Sequence, residues 1–278
     1  MNGLEQGIAG EAWIRLGSFF GILLMMLLWE QLMPRRNALP GRIWRRSNNL
    51  LLVVVNALLL KLLIPFSAVA LAFYAEQHSW GGLNQLILPA WAELVIAIVL
   101  LDLVIYWQHR LFHVVQPLWR LHQVHHADMD YDTTTGLRFH PIEILLSMLI
   151  KFAAVVLLGP AALAVVVFEV MLNGMAMFNH GNIRLPLALD RLLRWLIVTP
   201  DMHRIHHSIH RYEADSNYGF SLAIWDRLFG SYTRDPKEGQ TTMHFGVKYQ
   251  QDFKQTSGLW ALLKMPFTLN PPPRKDDE

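Results

Sequence analysis

The sequence predicts an all-α integral membrane protein, in which about four to five transmembrane or hairpin helices form a bundle beneath a cytoplasmic helical cap. Three observations predict this fold. Hydrophobic residues make up 53% of the chain and charged residues 17%, a balance typical of membrane proteins. The apolar residues gather in five long runs. Nine of the 13 histidines lie in the windows 109–126 and 203–210, and we expect a dimetal site in the cap.

The composition also excludes several classes of function. The chain has no cysteine, so disulfides, cysteine-ligated iron–sulfur clusters and thiolate catalysis are excluded for it. A net charge of +2 gives no basic surface of the kind that nucleic acids bind, and we expect no nucleic-acid partner. Electrons for any redox reaction would have to come from another protein.

The first apolar run, Leu16–Met33, is long enough to cross a bilayer, and we interpret it as a retained anchor. The loop that follows, residues 34–49, is rich in arginine. By the positive-inside rule this loop lies in the cytoplasm and the N-terminus lies outside. The arginines of the loop are Arg35, Arg36, Arg42, Arg45 and Arg46.

The second and third predicted spans are Leu50–Tyr74 and Leu86–Trp107. Lys61 and Pro65 interrupt the second span, which predicts a kink or a packed interior face. The loop between the spans contains no lysine or arginine, as expected for the outer side. The third span therefore returns the chain to the cytoplasmic side.

The fourth and fifth predicted segments are Ile142–Leu158 and Ala161–Phe178, joined by a tight turn at Gly159-Pro160. Both are short, so they could form a hairpin that does not reach the far side of the membrane. In either case the chain returns to the side where it began. His140 and His180 therefore lie at the same level as the two histidine windows.

Three histidine motifs carry the chemistry. They are His109-x3-His113, then H-x2-H-H at His122, His125 and His126, then the same pattern at His203, His206 and His207. Residues three and four apart share a helix face, so each motif presents its imidazoles together. Eight neutral imidazoles are too many for one metal ion with an open position and suit two.

Residues around the motifs are assigned roles by the same reasoning. Asp102 lies on one helical stripe with His109 and His113, and we propose that it orients a ligating histidine; pairing with a base on another helix is the equal alternative. The pattern of residues 186–198 indicates a helix in the membrane interface or, equally, a core helix of the cap. Asp201 can cap the helix of the third motif. His210 lies on the face of His207 and is a lesser candidate for the site.

The three motifs and their surroundings resemble the fatty acid hydroxylase/sterol desaturase superfamily of membrane di-iron oxygenases. The resemblance covers roughly residues 95–235 and rests on LHQVHHADMDYD, RFHPIE, FNHGNIRLP and TPDMHRIHHS. It implies an O2-dependent lipid hydroxylase or desaturase that holds two iron ions, with zinc possible in purified protein. It implies nine catalytic metal ligands, namely His109, His113, His122, His125, His126, His180, His203, His206 and His207.

The resemblance leaves several points open. His140 is a lesser candidate for a ligand, and Ala176 stands where some members carry a further histidine. The implied substrate is a sterol, fatty acyl or other membrane lipid, and the implied partner is an external electron donor such as ferredoxin or cytochrome b5 with its reductase. We expect that donor to dock on Arg110, Arg120, Arg204 and Arg211.

The chain divides into N-terminal membrane helices (1–90), a catalytic domain (91–235) and a C-terminal cytoplasmic segment and tail (236–278). A multi-pass protein of the inner or cytoplasmic membrane is expected, with its active site on the cytoplasmic side. Two alternatives are a membrane metal transporter or sensor and a haem electron carrier. A metalloprotease is disfavoured because H-E-x-x-H is absent from the sequence.

Overall fold

A computed structural model describes residues 3–272 of the chain, and the side chains of residues 10–272. Within this part the fold is all-α, as predicted, with short 3-10 turns at Leu83–Gln85 and Thr135–Leu137. Strand pairing among the described residues is limited to isolated bridges such as Pro34 with Ile183. The predicted disordered tail falls almost wholly on residues 273–278, which lie outside the described residues.

Five segments are long and apolar enough to cross a membrane, which confirms the predicted multi-pass bundle. The segments are 10–32, 42–77, 90–114, 141–158 and 162–179. Their helices are α1 (Gly3–Leu32), α2 (Arg42–Leu63), α3 (Ala68–Gln77), α4 (Ala90–Val114), α6 (Pro141–Leu158) and α7 (Ala162–Asn179).

The second span is two helices, because α2 ends at Leu63 and α3 begins at Ala68. The break coincides with Pro65, as the sequence predicted, since proline lacks an N–H and disfavours helix in the residue before it. Ser67 caps the new helix and accepts a hydrogen bond from Ala70 N. The kink therefore follows directly from local sequence.

Helix α4 continues seven residues beyond the predicted end at Trp107. No helix-breaking residue occurs until Pro117, so the helix carries both His109 and His113 out of the bundle to the cap. Helix α5 then starts at Gln116, with Pro117 in its first turn, where a missing N–H costs nothing.

A tight turn at Gly159-Pro160 joins helices α6 and α7, as predicted, and both helices pack on α3. Gly159 ends α6 in the left-handed conformation, at φ +64°, which glycine adopts without steric cost. A β-carbon there would lie 2.3 Å from Trp80 O, so only glycine lets the turn pack on the loop after α3. Each helix has 18 residues, or about 27 Å of length.

The cap consists of short helices around the ends of the long ones. The helix predicted within residues 186–198 is present but shorter than that range: it spans seven residues and ends before Arg194. In the C-terminal part, Leu262 and Met265 pack against Leu52 and Trp119. The cap helices are α5 (Gln116–His126), α8 (Leu187–Leu193), α9 (Pro200–His206), α10 (Arg211–Ala214), α11 (Ile224–Leu228), α12 (Phe253–Ser257) and α13 (Leu259–Thr268).

Candidate metal centre

Nine buried histidines form two groups at the junction of the bundle and the cap. Within each group, one nitrogen of every ring lies within 4.8 Å of the others. These are the same nine residues that the resemblance implies as ligands. The five-histidine group is His109, His113, His122, His126 and His206, and the four-histidine group is His125, His180, His203 and His207.

Both groups are assembled from separate helices. Helix α4 presents His109 and His113, which lie four residues apart on one face, and α5 presents all three histidines of the second motif. Along α5 the motif divides, so that His125 faces the four-histidine group while its neighbours face the other. The third motif divides in the same way, since His206 joins the five-histidine group alone.

The N-cap of the helix that carries the third motif differs from the prediction. Thr199, not Asp201, caps α9, because its side chain accepts a hydrogen bond from Met202 N. Asp201 instead pairs with Arg204 and with Arg35 of the first loop. Helix α9 ends at His206, and His207 lies at its C-cap.

Burial favours the neutral form of the clustered imidazoles by lowering their pKa. It lowers the pKa of His122 and of His180 to about 3. Burial, followed by repulsion from neighbouring imidazoles, holds the pKa of His125, His126 and His207 well below its ordinary value. Neutral imidazole is the form that binds metal ions.

In five of the nine clustered rings, Nδ1 has a hydrogen-bond partner outside the two histidine groups. We call this atom the outer nitrogen and Nε2 the inner nitrogen. Four of the partners are backbone carbonyls, which can only accept, so Nδ1 of each of these rings carries the proton and Nε2 keeps a lone pair. The fifth is a carboxylate: Nδ1 of His122 lies 2.6 Å from Glu143 Oε1. The four carbonyl pairs are His109 with Tyr218 O, His125 with Arg138 O, His180 with Ala176 O, and His206 with Ser216 O.

These partners leave inner nitrogens facing each other without a proton between them. Nε2 of His180 lies 3.2 Å from Nε2 of His125, and Nε2 of His206 lies 3.0 Å from Nε2 of His109. Two buried lone pairs at that distance repel unless a cation lies between them. Metal–imidazole bonds of about 2.1 Å place two ligands at right angles about 3.0 Å apart. The donor set therefore fits a metal ion in each group.

Gly136 allows the turn Thr135–Leu137 to approach the four-histidine group. A β-carbon on Gly136 would lie 2.3 Å from Ala176 O and 2.8 Å from Nδ1 of His180. The carbonyl that orients His180 and the ring itself would both have to shift. The turn at Thr135–Leu137 can thus pack against the four-histidine group only because residue 136 has no side chain.

The two lesser histidine candidates lie outside both groups. His140 caps α6, where Nδ1 accepts a hydrogen bond from Ile142 N and Nε2 lies 3.2 Å from Leu263 O. His210 lies at the cap surface, with Nε2 2.8 Å from Glu238 Oε1. The structure does not bring either side chain to the centre.

Asp102 does not contact a histidine, nor is its partner a base. It accepts hydrogen bonds from Ser221 N, Leu222 N and the indole N–H of Trp225. Both predicted pairings of Asp102 are therefore wrong. The carboxylate of Asp102 is linked to the centre indirectly. It holds a segment that also carries the carbonyl of Tyr218, and this carbonyl orients His109.

A buried arginine lies in the loop after the second motif. The spacing Asp128-x-Asp130-x-Asp132 would suit a hard cation, but Arg45 of α2 fills the position. Its side chain is 1% exposed, and Nη1 lies 2.7 Å from Asp128 Oδ2. Sequence reasoning missed this contact, because it assigned Arg45 only a topological role.

The arginines predicted to bind an electron donor differ in how far their side chains are exposed at the surface. Arg204 is fully buried and pairs with Asp201, so it cannot contact a partner protein. Arg110, Arg120 and Arg211 are partly exposed. Arg211 stacks on the ring of Trp119, with Cζ 4.8 Å from its centroid.

A cavity of about 330 Å³ connects the centre with the membrane helices. At the cap end its wall includes His109, His122, His125 and His203. Apolar side chains, many of them from α1, α2, α4 and α6, line much of the remainder, together with polar residues of the same helices and of α7. The cavity is large enough to hold part of a lipid next to both histidine groups.

Fold and site together define a multi-pass membrane protein with a buried histidine centre suited to two metal ions. Residues 94–231 match the model of the family described as fatty acid hydroxylase. The chain belongs to that family, and the match spans all nine clustered histidines. No solved structure matches the chain.

Three curated relatives illustrate the range of the family. Alkylglycerol monooxygenase of Xenopus tropicalis is 32% identical over 48% of this chain and 29% of its own length. Ornithine lipid hydroxylase OlsE of Rhizobium tropici is 28% identical over 65% of this chain and 52% of its own. Methylsterol monooxygenase 2-2 of Arabidopsis thaliana is 28% identical over 58% and 61%. The chain thus spans less than two thirds of each of these relatives.

Proposed function

We propose that this protein is a membrane di-iron oxygenase that hydroxylates or desaturates a C–H bond of a lipid, using O2 and external electrons. One observation carries the proposal: two groups of neutral, oriented imidazoles with opposed lone pairs border a cavity that runs into the membrane helices. The relatives' names, which include an alkylglycerol, an ornithine lipid and a methylsterol, support lipid oxidation without selecting one substrate.

The nine clustered histidines would hold the metal, and bound iron would supply the activation of O2. Hydroxylation consumes O2, two electrons and two protons, places one oxygen atom in the C–H bond and releases the other as water. Desaturation removes two hydrogens instead and releases both oxygen atoms as water. The chain orients the ligands through Glu143 and the backbone carbonyls, and positions the lipid in the cavity.

The proposal includes the organisation and location of the protein. Residues 91–235 form the catalytic domain, 1–90 the N-terminal membrane helices and 236–278 the C-terminal segment. The centre lies on the cytoplasmic side, where a soluble ferredoxin or a cytochrome b5 with its reductase would reach it. Arg110, Arg120 and Arg211 remain available for docking.

A transporter or a haem protein is less well supported. A transporter holds its ion near the midplane of broken helices, whereas these histidines lie at helix ends and in the cap. Haem requires one or two axial ligands, which gives no reason for nine clustered imidazoles.

Metal content of the detergent-purified chain tests the proposal, measured beside two histidine variants. We expect about two metal ions per chain in the native protein and in His210→Ala, and clearly fewer in His125→Ala. His210 is a matched control because it is a cap histidine outside both groups. Iron loading would then be followed by lipid analysis with and without O2.

One metal ion or none in the native protein, unchanged by His125→Ala, would contradict the proposal. A Soret band in the purified protein would favour the haem hypothesis. Metal flux without oxygen consumption would favour the transporter hypothesis.

A further inference from the structure

One face of α6 carries polar residues in an otherwise apolar helix. Glu143, Ser147 and Lys151 follow one another at intervals of four, which places them on one face. All three line the cavity. The nearest of them to the centre, Glu143, contacts His122, and the stripe therefore leads from the histidines into the bundle.

The stripe ends in a cluster of four charges contributed by three helices. Lys151 Nζ lies 2.7 Å from Glu169 Oε1 on α7, and Arg15 Nε on α1 lies 3.2 Å from Glu169 Oε2. Arg15 Nη1 lies 3.3 Å from Glu11 Oε2. The cluster holds two cations and two carboxylates, so its charges balance. Arg15, Lys151 and Glu169 line the cavity.

Two members of the cluster, Lys151 and Glu169, lie well inside their membrane segments, whereas Glu11 and Arg15 lie near the start of the first segment. Lys151 is eight residues beyond Glu143, or about 12 Å along α6. Glu169 precedes His180 by eleven residues, or about 16 Å along α7. Ionisable groups at such depth are costly and usually mark a path for a polar ligand. A purely hydrocarbon ligand in the cavity would leave the charged side chains of the cluster in contact with apolar groups.

The free hydrogen-bonding capacity of the cluster defines what it can bind. Both oxygens of Glu169 lie near a cation, and Oε2 makes no hydrogen bond. Lys151 has three N–H donors and Arg15 has five, of which the carboxylates engage only some. The cluster thus offers several donors and one acceptor, and its complement is a group rich in acceptor oxygens. A full anion would leave an unbalanced charge in the membrane interior.

We propose that the cavity end formed by Arg15, Lys151 and Glu169 binds an uncharged, oxygen-rich group of a lipid, such as an ester, ether or glycol. The lipid carbon to be oxidised would then lie at the histidines, about 12–16 Å away. The assignment of the reacting end rests on the proposed function, whereas the binding preference does not.

Binding of three labelled probes to the full chain in nanodiscs tests this inference, with empty nanodiscs as background. The probes are 1-O-hexadecylglycerol, hexadecyl phosphate and hexadecane. We expect the native protein to bind the glycerol ether at least about tenfold more strongly than either other probe, a preference of about 1.4 kcal/mol. This comparison needs no variant.

Two variants locate the preference. Lys151→Met/Glu169→Gln removes one charge of each sign, so the cluster stays balanced, and we expect it to bind the glycerol ether no better than hexadecane. Lys61→Met is the matched control, because Lys61 is a lysine of a membrane helix that does not line the cavity. We expect it to bind as the native protein does.

Three results would overturn the inference. They are equal binding of the three probes by the native protein, stronger binding of hexadecyl phosphate, and an unchanged preference in the double variant, which would make the cluster a helix-packing contact only. Metal content measured on the same samples separates the two proposals. A glycerol-ether preference without two bound metal ions would support this site and contradict the proposed function.

Discussion

At the scale of single residues, the unexpected partner of the centre is Glu143. Its carboxylate lies 2.6 Å from Nδ1 of His122, closer than Asp215 lies to Nδ1 of His113, at 3.4 Å. It fixes which nitrogen of His122 is left for a metal. Such outer partners typically change metal affinity by about 10–100-fold when removed.

We therefore expect Glu143→Leu to weaken metal retention by about 10–100-fold, because His122 loses the acceptor that fixes its tautomer. Glu143→Gln should retain most of the affinity, since an amide oxygen can accept the same hydrogen bond. Competition with a chelator measures the effect. Glu76→Leu, an exposed glutamate of α3, is the control. Equal retention by native protein and Glu143→Leu would show that the contact is incidental.

The identity of the clustered histidines could be predicted from the sequence, but their orientation could not. Motif spacing and the family resemblance select the nine residues that the structure brings together. The acceptors of four outer nitrogens are backbone carbonyls, for example those of Ala176 and Ser216. Any residue type offers a carbonyl, so the sequence holds no signal for which one is used.

At the scale of elements, the segment 216–226 links a membrane helix to the centre. Its carbonyls at Ser216 and Tyr218 orient His206 and His109. Asp102 of α4 holds the same segment through two backbone N–H groups and an indole. Helical spacing predicted that Asp102 shares a face with His109, but it could not predict which loop packs there.

We expect Asp102→Ala to lower the free energy of unfolding by about 1–3 kcal/mol for each buried donor left without an acceptor. It should also speed metal loss, because the segment that orients His109 loses its anchor. Thermal unfolding and metal dissociation rates measure both effects. Asp235→Ala should change neither, since that side chain is 80% exposed. Metal loss at the native rate in a destabilised Asp102→Ala protein would contradict the positioning role.

At the scale of the whole molecule, Arg45 joins the N-terminal helices to the centre. It lies among Asp128, Asp130 and Asp132, directly after the second histidine motif. The sequence could predict five membrane segments from hydropathy, since length and apolarity decide them. It could not predict that a loop arginine would enter the cap, because that contact joins residues more than 80 positions apart.

We expect Arg45→Met to destabilise the protein by about 3–5 kcal/mol, because it leaves buried carboxylates without their cation. The double variant Arg45→Met/Asp132→Asn should recover part of that loss, since it removes one of the stranded charges. Yield of folded protein and its thermal midpoint measure the effect. Arg42→Met should behave as the native chain, because Arg42 makes an exposed contact with Gln31. A native midpoint in Arg45→Met would exclude a structural role for this arginine.

The division of the third motif between the two histidine groups has a consequence for biosynthesis. A chain that ends before residue 200 contains four members of the five-histidine group and two of the four-histidine group. The membrane helices α1 to α4, α6 and α7 can therefore enter the membrane while both groups are still incomplete. Under the proposed function, the last ligands of the two metal positions are His206 and His207, so both positions are completed only after all the membrane helices have been synthesised.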